Sequence, residues 1–375
     1  MSEPAMVLGL IAALAFGVSI GSFLNVVIWR VPRGQSVSSP TWSYCPNCQT
    51  RLGGWDLVPL LSFLALGCKC RYCKKPISWR YITVETITGL VFAGIFLKYG
   101  WSVDTVFFCL FASVMISALF IDLDFFIIPD ELNVIGVVLG IGLNVAHYWL
   151  GDPPEVWTIS GLHIIAAIPS AIICALIFHT ISFLGYLYYS SATPAADEAD
   201  TKDAEPRKAK PSLPVRAGWF VLGVLDDYGY LFAKYLGLGL VSPKIKAWIA
   251  AHDVTEDISE ADGSPSKSHA ELAKEIEEDE EQTGMGQGDA KLAAAIGAVL
   301  LLKYALVSFF LAIVVGGVVS IGLMFFSKKG GRTAIPFGPY LVLAALLTLF
   351  VGEPLLQGYL QYAFPAPSSA ITITH

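Results

Sequence analysis

Charge is what this sequence has least of. Only 15% of its residues are charged, against 55% that are hydrophobic. A soluble chain of 375 residues would expose more charge, so lipid must be the solvent for much of it. There is no basic stripe, which argues against a nucleic-acid partner. None of the six histidines forms a metal-like pair, no Ser/His/Asp order is suggested by position, and no glycine-rich strand–helix turn offers a nucleotide site. The first apolar run, Ala5 to Trp29, lacks a basic region before it and a small-residue cleavage site after it. It reads as a retained membrane span and not as a removed signal peptide.

Apolar runs near or above the roughly 20 residues that cross a bilayer recur along the chain. Eight spans are expected, at about 5–29, 82–100, 104–121, 132–150, 158–188, 289–302, 305–326 and 336–353. The boundary between the sixth and seventh falls near Lys303 and Tyr304. The runs have helical length without barrel-like alternation, so the expected fold is an all-α polytopic membrane protein with every span helical. The loop 30–81 carries Arg30, Arg33, Arg51, Lys69, Arg71, Lys74, Lys75 and Arg80 against one acid, Asp56, which places it in the cytoplasm. The N-terminus is then outside, as is Gly151–Glu155, while 122–131 and the Lys328–Lys329 loop are inside.

The net charge of −7 is unevenly spread. Residues 190–283 hold 19 acidic and 10 basic side chains, which leaves the remainder near +2. The ends of this stretch, about 191–214 and 252–283, have a disordered composition. Between them, 215–249 is apolar and aromatic and reads as a helix on the membrane surface, with a ninth span as the alternative. The expected organisation is a first span (1–29), a cysteine-bearing loop (30–81), spans two to five (82–188), an acidic cytoplasmic insert (189–283) and a C-terminal segment (284–375).

Five of the seven cysteines crowd one polar loop. Cys45-Pro-Asn-Cys48 is followed, 21 residues on, by Cys70-Arg-Tyr-Cys73. Paired knuckles at this separation suit tetrahedral binding of one Zn²⁺ by four thiolates. The reducing cytoplasm argues against disulfides, and four thiolates leave no position for water, so such a zinc is structural. Cys68 competes as a ligand, with the paired spacing favouring Cys70. Cys109 and Cys174 lie inside apolar runs and read as buried hydrophobes.

Acids at membrane borders are the second signal. Asp122 and Asp124 follow the third span, Asp130 comes shortly after, and Gly286-Gln-Gly-Asp289 opens the sixth. Charge is costly to place there, so such acids default to a functional reading. On the topology above, Asp122 and Asp289 share the cytoplasmic face. Two carboxylates brought together cannot both ionise easily; the ionised one can take a proton from water attacking a peptide carbonyl while the other donates to the carbonyl oxygen. Gly286 and Gly288 would let a substrate backbone or a neighbouring helix approach Asp289. Simpler roles compete: Asp289 and Asp130 as helix N-caps, Asp124 as a solvated interface charge, and Glu85 as a first-turn acid. Lys291 is placed to pair with a nearby carboxylate or to snorkel to headgroups.

Taken together, Gly21-Ser-Phe-Leu-Asn-Val-Val-Ile-Trp-Arg30-Val-Pro-Arg33, the two knuckles with Val58-Pro-Leu-Leu-Ser-Phe63 between them and Trp79-Arg-Tyr-Ile-Thr-Val-Glu85 after them form an ordered set. Ile121-Asp122, Ile128-Pro129-Asp130, Gly286-Gln-Gly-Asp289-Ala-Lys291-Leu292 and Ile335-Pro-Phe-Gly-Pro-Tyr-Leu341 complete it. In these blocks and their order the chain resembles the type IV prepilin peptidases, the leader peptidase/N-methyltransferases of pilus and type II secretion systems. The resemblance implies an inner-membrane enzyme that cleaves leaders from prepilins and pseudopilins at the cytoplasmic face, with Asp122 and Asp289 as its catalytic aspartates. It also implies N-methylation of the new N-terminus with S-adenosylmethionine, an activity associated with the four-cysteine loop, and contact with pilus or secretion components. The long insert, Cys68 and Gly297-Ala-Val-Leu-Leu-Leu-Lys303 depart from the family pattern. The competing readings are a glycine–aspartate intramembrane peptidase with other substrates, and a zinc-stabilised transporter or secretion scaffold without proteolysis.

Overall fold

The computed structural model describes residues 3–45, 47–151, 156–159, 162–192, 287–326 and 336–364. Gly286, the proposed surface helix at 215–249 with nearly all of the insert, and the Lys328–Lys329 loop lie outside the described residues. The long helices are α1 (Glu3–Arg30), α3 (Trp79–Tyr99), α4 (Val103–Phe125), α5 (Asp130–Leu150), α6 (Ala167–Ala192), α7 (Gln287–Phe326) and α8 (Gly338–Ala363). A short α2 (Leu61–Ala65) and two 3₁₀ turns, Val31–Arg33 and Gly54–Leu57, shape the cysteine loop.

Local chemistry sets most of the helix ends. Ser78 caps α3 by accepting from the Arg80 amide, and Ser102 caps α4 by accepting from the Thr105 amide at 3.2 Å. Pro129 precedes α5, so its first residue is Asp130, which lies inside the first turn and does not serve as the cap. Pro354 removes an amide inside α8 and frees the Phe350 carbonyl. Lys98 Nζ from the end of α3 donates to that carbonyl at 3.1 Å and to Leu349 O at 2.6 Å, and the Tyr99 hydroxyl also donates to Leu349 O at 2.7 Å.

Seven described helices are long and apolar enough to cross a membrane. One of them, α7, has 40 residues, about 60 Å at 1.5 Å per residue and twice a bilayer's hydrocarbon thickness. It is broken at Leu301, whose φ of 58° and ψ of 165° are not helical. The contacts show that the chain reverses there. From residue 288 to 298 it follows α5 in parallel: Gly288 lies on Ile128, Lys291 bonds Asp130, Gly136 packs on Ala295 and Gly140 on Ala298. After the break, Leu302 bonds Ser170 and Phe309 packs edge-on against Phe178, so the chain now follows α6. Along α8 it runs antiparallel, with Tyr304 bonded to Glu353 and Gly316 beside Tyr340. Among the described residues the chain therefore passes eight times through the bundle, and the expected boundary near Lys303 moves to Leu301.

The fifth run corrects the expectation of a helix over 158–188. Val156–Ile159 and Leu162–Ile165 pair as an antiparallel hairpin with Val156 opposite Ile165, and α6 begins only at Ala167. Each strand joins β-branched side chains to an aromatic or leucine, a composition that favours strand over helix.

The core centres on α4, which packs against α1, α3, α5 and α8. The two arms of α7 differ. From Asp289 to Leu300 every residue but Lys291 is buried, and small side chains (Ala290, Ala293, Ala295, Ala298) let α5 and α6 close on it. A Cβ at Gly140 would stand 2.4 Å from the Ala298 carbonyl, so close approach requires glycine there. After the reversal, Leu306, Phe310, Ile313 and Val318 are exposed, as a lipid-facing helix should be.

Candidate active site and metal centre

The cysteine loop is built from two knuckles with identical local bonding. The Cys45 amide donates to Thr50 O and the Gln49 amide to Cys45 O; the Cys70 amide donates to Lys75 O and the Lys74 amide to Cys70 O. Gln49 and Lys74 both take positive φ, 57° and 59°, without being glycine. The four sulfurs of Cys45, Cys48, Cys70 and Cys73 lie within 4.8 Å of one another, with Cys45 Sγ and Cys73 Sγ 3.9 Å apart. Thiolates at a Zn–S distance near 2.3 Å form a tetrahedron with edges of about 3.8 Å, so the cluster suits one zinc ion. Burial pushes the Cys45 thiol up to about 11, while hydrogen bonding from Thr50 brings Cys48 down to about 6. The Cys73 amide lowers Cys70. Cys68 stands outside the cluster, with positive φ and its amide bonded to Phe63 O.

Polar ties hold this loop on the bundle. Arg30, 5% exposed at the end of α1, donates to the carbonyls of Ser36, Val37, Pro40 and Trp42. Its role is thus to organise a loop, beyond the charge the sequence shows. Asp56, the loop's one acid, accepts from Arg71 at 2.5 Å and from Tyr72 at 3.2 Å, and the Arg71 guanidinium holds its carboxyl below the usual carboxylate range. Glu85 on α3 accepts from the Leu60 amide at 2.8 Å.

Asp122 and Asp289 lie at the same end of the bundle as the knuckles, and both are buried, at 5% and 8% exposure. Asp122 sits in the last turn of α4 and Asp289 in the first turn of α7. Ile128 borders the surroundings of both: it packs on Gly288, the residue before Asp289, and on Gly338, which itself lies against Asp122. Lys291, two residues along from Asp289, bonds Asp130 at 2.9 Å and so fastens α7 to α5. Asp124 turns the other way, pairing with Arg80 of α3.

Two family models match the chain: the Bacterial Peptidase A24 N-terminal domain over residues 15–99, and the Type IV leader peptidase family over 272–321. The prepilin leader peptidase/N-methyltransferase of Myxococcus xanthus (strain DK1622) is 45% identical over 127 residues, 34% of this chain and 38% of that protein. The protein of the same name from Neisseria gonorrhoeae is 35% identical over 156 residues, 36% of this chain and 54% of that one. The one from Legionella pneumophila is 21% identical over 369 residues, 92% of this chain and 93% of that protein. Over most of its length the chain is thus similar to the type IV prepilin leader peptidases.

No solved structure matches it. The first family match covers the second half of α1, the knuckles and α3, and the second reaches Asp289 and the α7 reversal. The chain therefore draws its two buried acids from segments that lie far apart in sequence. Gly338 had no role assigned from sequence. A Cβ there would stand 2.3 Å from Asp122 Oδ2, so glycine leaves the carboxylate its space. At Gly288 a Cβ would meet Ile128 at 3.4 Å, an ordinary contact, so helix packing alone does not demand glycine there. The Pro-Phe-Gly-Pro run across the start of α8 is the available signal for Gly338, since it places a glycine between two prolines at a helix start.

Proposed function

We propose that the chain is an aspartic endopeptidase of the bacterial inner membrane that removes leader peptides from type IV prepilins or pseudopilins, with Asp122 and Asp289 as its catalytic pair. What supports this reading is that both aspartates are buried and that Ile128 lies against Gly288, next to Asp289, and against Gly338, which borders Asp122. One carboxylate takes a proton from the attacking water while the other, protonated, donates to the scissile carbonyl oxygen, and the roles reverse as the amine leaves. Gly338 leaves room for Asp122, and the Lys291–Asp130 pair holds the first turn of α7 in place. Gly286 and Gly288 serve substrate approach.

The active end faces the cytoplasm, where the basic knuckle loop also belongs. Cys45, Cys48, Cys70 and Cys73 hold a structural Zn²⁺. The relatives' name adds N-methylation, for which S-adenosylmethionine supplies the methyl group. In this reading 30–81 and 82–188 form the knuckle and Asp122 units, 284–375 carries Asp289, and 189–283 is an insert between them.

The decisive assay incubates purified protein in detergent with a prepilin and repeats it with Asp122→Asn and Asp289→Asn. Wild type should release the leader and both variants should not. An intact leader with wild type, or normal cleavage by either variant, would overturn the proposal and favour a transporter or scaffold.

A further inference from the structure

A cavity of about 700 Å³ lies between the knuckle loop and helices α1, α3 and α4. That volume falls within the range of small-molecule sites. Cys45 and Cys70 border it on the loop side, and Trp29, Phe63, Tyr81 and Phe120 supply aromatic walls. Neither Asp122 nor Asp289 lines it, yet Leu123 and Asp124 do. The last turn of α4 is therefore a shared wall, with the aspartate site on one side and this cavity on the other.

Seven charged side chains line the cavity: the cations Arg30, Arg71, Lys75 and Arg80 and the acids Asp56, Glu85 and Asp124. Arg71 pairs with Asp56, Arg80 with Asp124, and Arg30 spends its donors on four loop carbonyls. Glu85 is different. It is 7% exposed and takes the Leu60 amide and the Ser22 side chain as hydrogen-bond partners, but no cationic side chain pairs with it among the described residues. On the facing side of α1, Asn25 is 2% exposed. Its Nδ2 donates to Gly21 O and Tyr81 O, while its buried Oδ1 has no hydrogen-bond partner. A carboxylate without a cation and an amide oxygen without a donor thus border one cavity, about one helical turn apart. Leaving such groups unpaired is costly, and a donor that carries positive charge satisfies both. Aromatic walls add cation–π attraction.

We propose that this cavity is a second ligand site, in which Glu85 and Asn25 receive an alkylammonium group. The inference rests on the functional reading above, because that reading supplies two carriers of such a group: the free α-amine of a cleaved substrate and the amino-acid end of the methyl donor. Both lie within reach of a site one helix-width from the aspartates.

The test uses full-length, zinc-loaded protein in detergent and three calorimetric probes: S-adenosylhomocysteine, a peptide with the mature N-terminal sequence and a free amine, and the same peptide N-acetylated. At least one amine-bearing probe should bind wild type. Glu85→Gln, which keeps an acceptor for the Leu60 amide, should weaken that binding about tenfold or more, since a charge-assisted hydrogen bond is lost. Asn25→Ser should weaken it less, and both variants should cleave prepilin within about twofold of wild type. Response to the nucleoside identifies the methyl donor as the source; response to the free but not the acetylated peptide identifies the product amine. Zinc content and melting temperature, measured alongside, show whether each variant is folded, and Asn25→Ser carries the test if Glu85→Gln is not. Absence of binding by either amine-bearing probe, or binding in the folded variants as tight as wild type, overturns the inference. Prepilin cleavage by the same wild-type preparation separates that result from a failure of the peptidase reading.

Discussion

On one side of the last turn of α4, Asp122 is buried with Gly338 of α8 against its carboxylate, and the arm of α7 that opens at Asp289 is buried almost residue by residue. On the other side, Leu123 and Asp124 border a cavity held together by polar ties, with Arg30, Asp56 and Glu85 each gripping loop backbone or a loop side chain. The first site is positioned by shape, through small residues in close contact. The second is positioned by hydrogen bonds and a four-sulfur cluster. Packing tolerates few atoms added or removed, whereas a loop held by several polar ties loses them one at a time. The two sites should therefore fail independently and in different ways.

The largest expected effect is chemical. Asp122→Asn or Asp289→Asn should lower prepilin cleavage by about 10³-fold or more while zinc content stays unchanged. Loss of zinc together with activity would show that the two sides are one cooperative unit. Next comes the cluster: replacing Cys45, Cys48, Cys70 and Cys73 by Ser should remove about one equivalent of zinc and make the 30–81 loop sensitive to protease. Unchanged metal content by elemental analysis would rule out the four-sulfur assignment.

Gly338→Ala tests the packed side without touching an ionisable group. Its Cβ would stand 2.3 Å from Asp122 Oδ2, so cleavage should fall by about 10- to 100-fold with the cavity ligand still bound. Lys291→Met should cost less, about tenfold or under in cleavage rate, because it loosens the hold of α7 on α5 without displacing a carboxylate; Lys291→Arg should recover part of the loss.

The smallest effect concerns Asp56. Its folded-state carboxyl is held below the unfolded value by Arg71, so its anchoring is complete above the unfolded value, about pH 4, and is lost as pH falls through the lower folded value. Asp56→Asn should abolish that acid dependence of loop protection, read by proteolysis, while leaving neutral-pH cleavage within about twofold.

Much of this was legible in the residues because lipid leaves a chain few options. Unsatisfied backbone in hydrocarbon is so costly that apolar length alone locates helices: α1, α3, α4 and α5 lie within four residues of where hydropathy puts them, while α8 runs ten residues past the expected end at 353. The knuckle spacing likewise announces a cluster, since four thiolates in two short turns have few other uses. The hairpin at 156–165 was hidden inside an apolar run, where strand and helix look alike by composition.

By itself, then, the sequence determined the membrane-spanning character, the paired cysteines and the candidate acids, because each follows from local composition or spacing. Only the tertiary structure decided the reversal at Leu301, the demand for glycine at 338, the use of Arg30 to organise a loop and the position of Glu85 beside a cavity. Those depend on contacts between residues far apart in the chain. Asp122 and Gly338 are 216 positions apart in sequence, and no local pattern records that they touch.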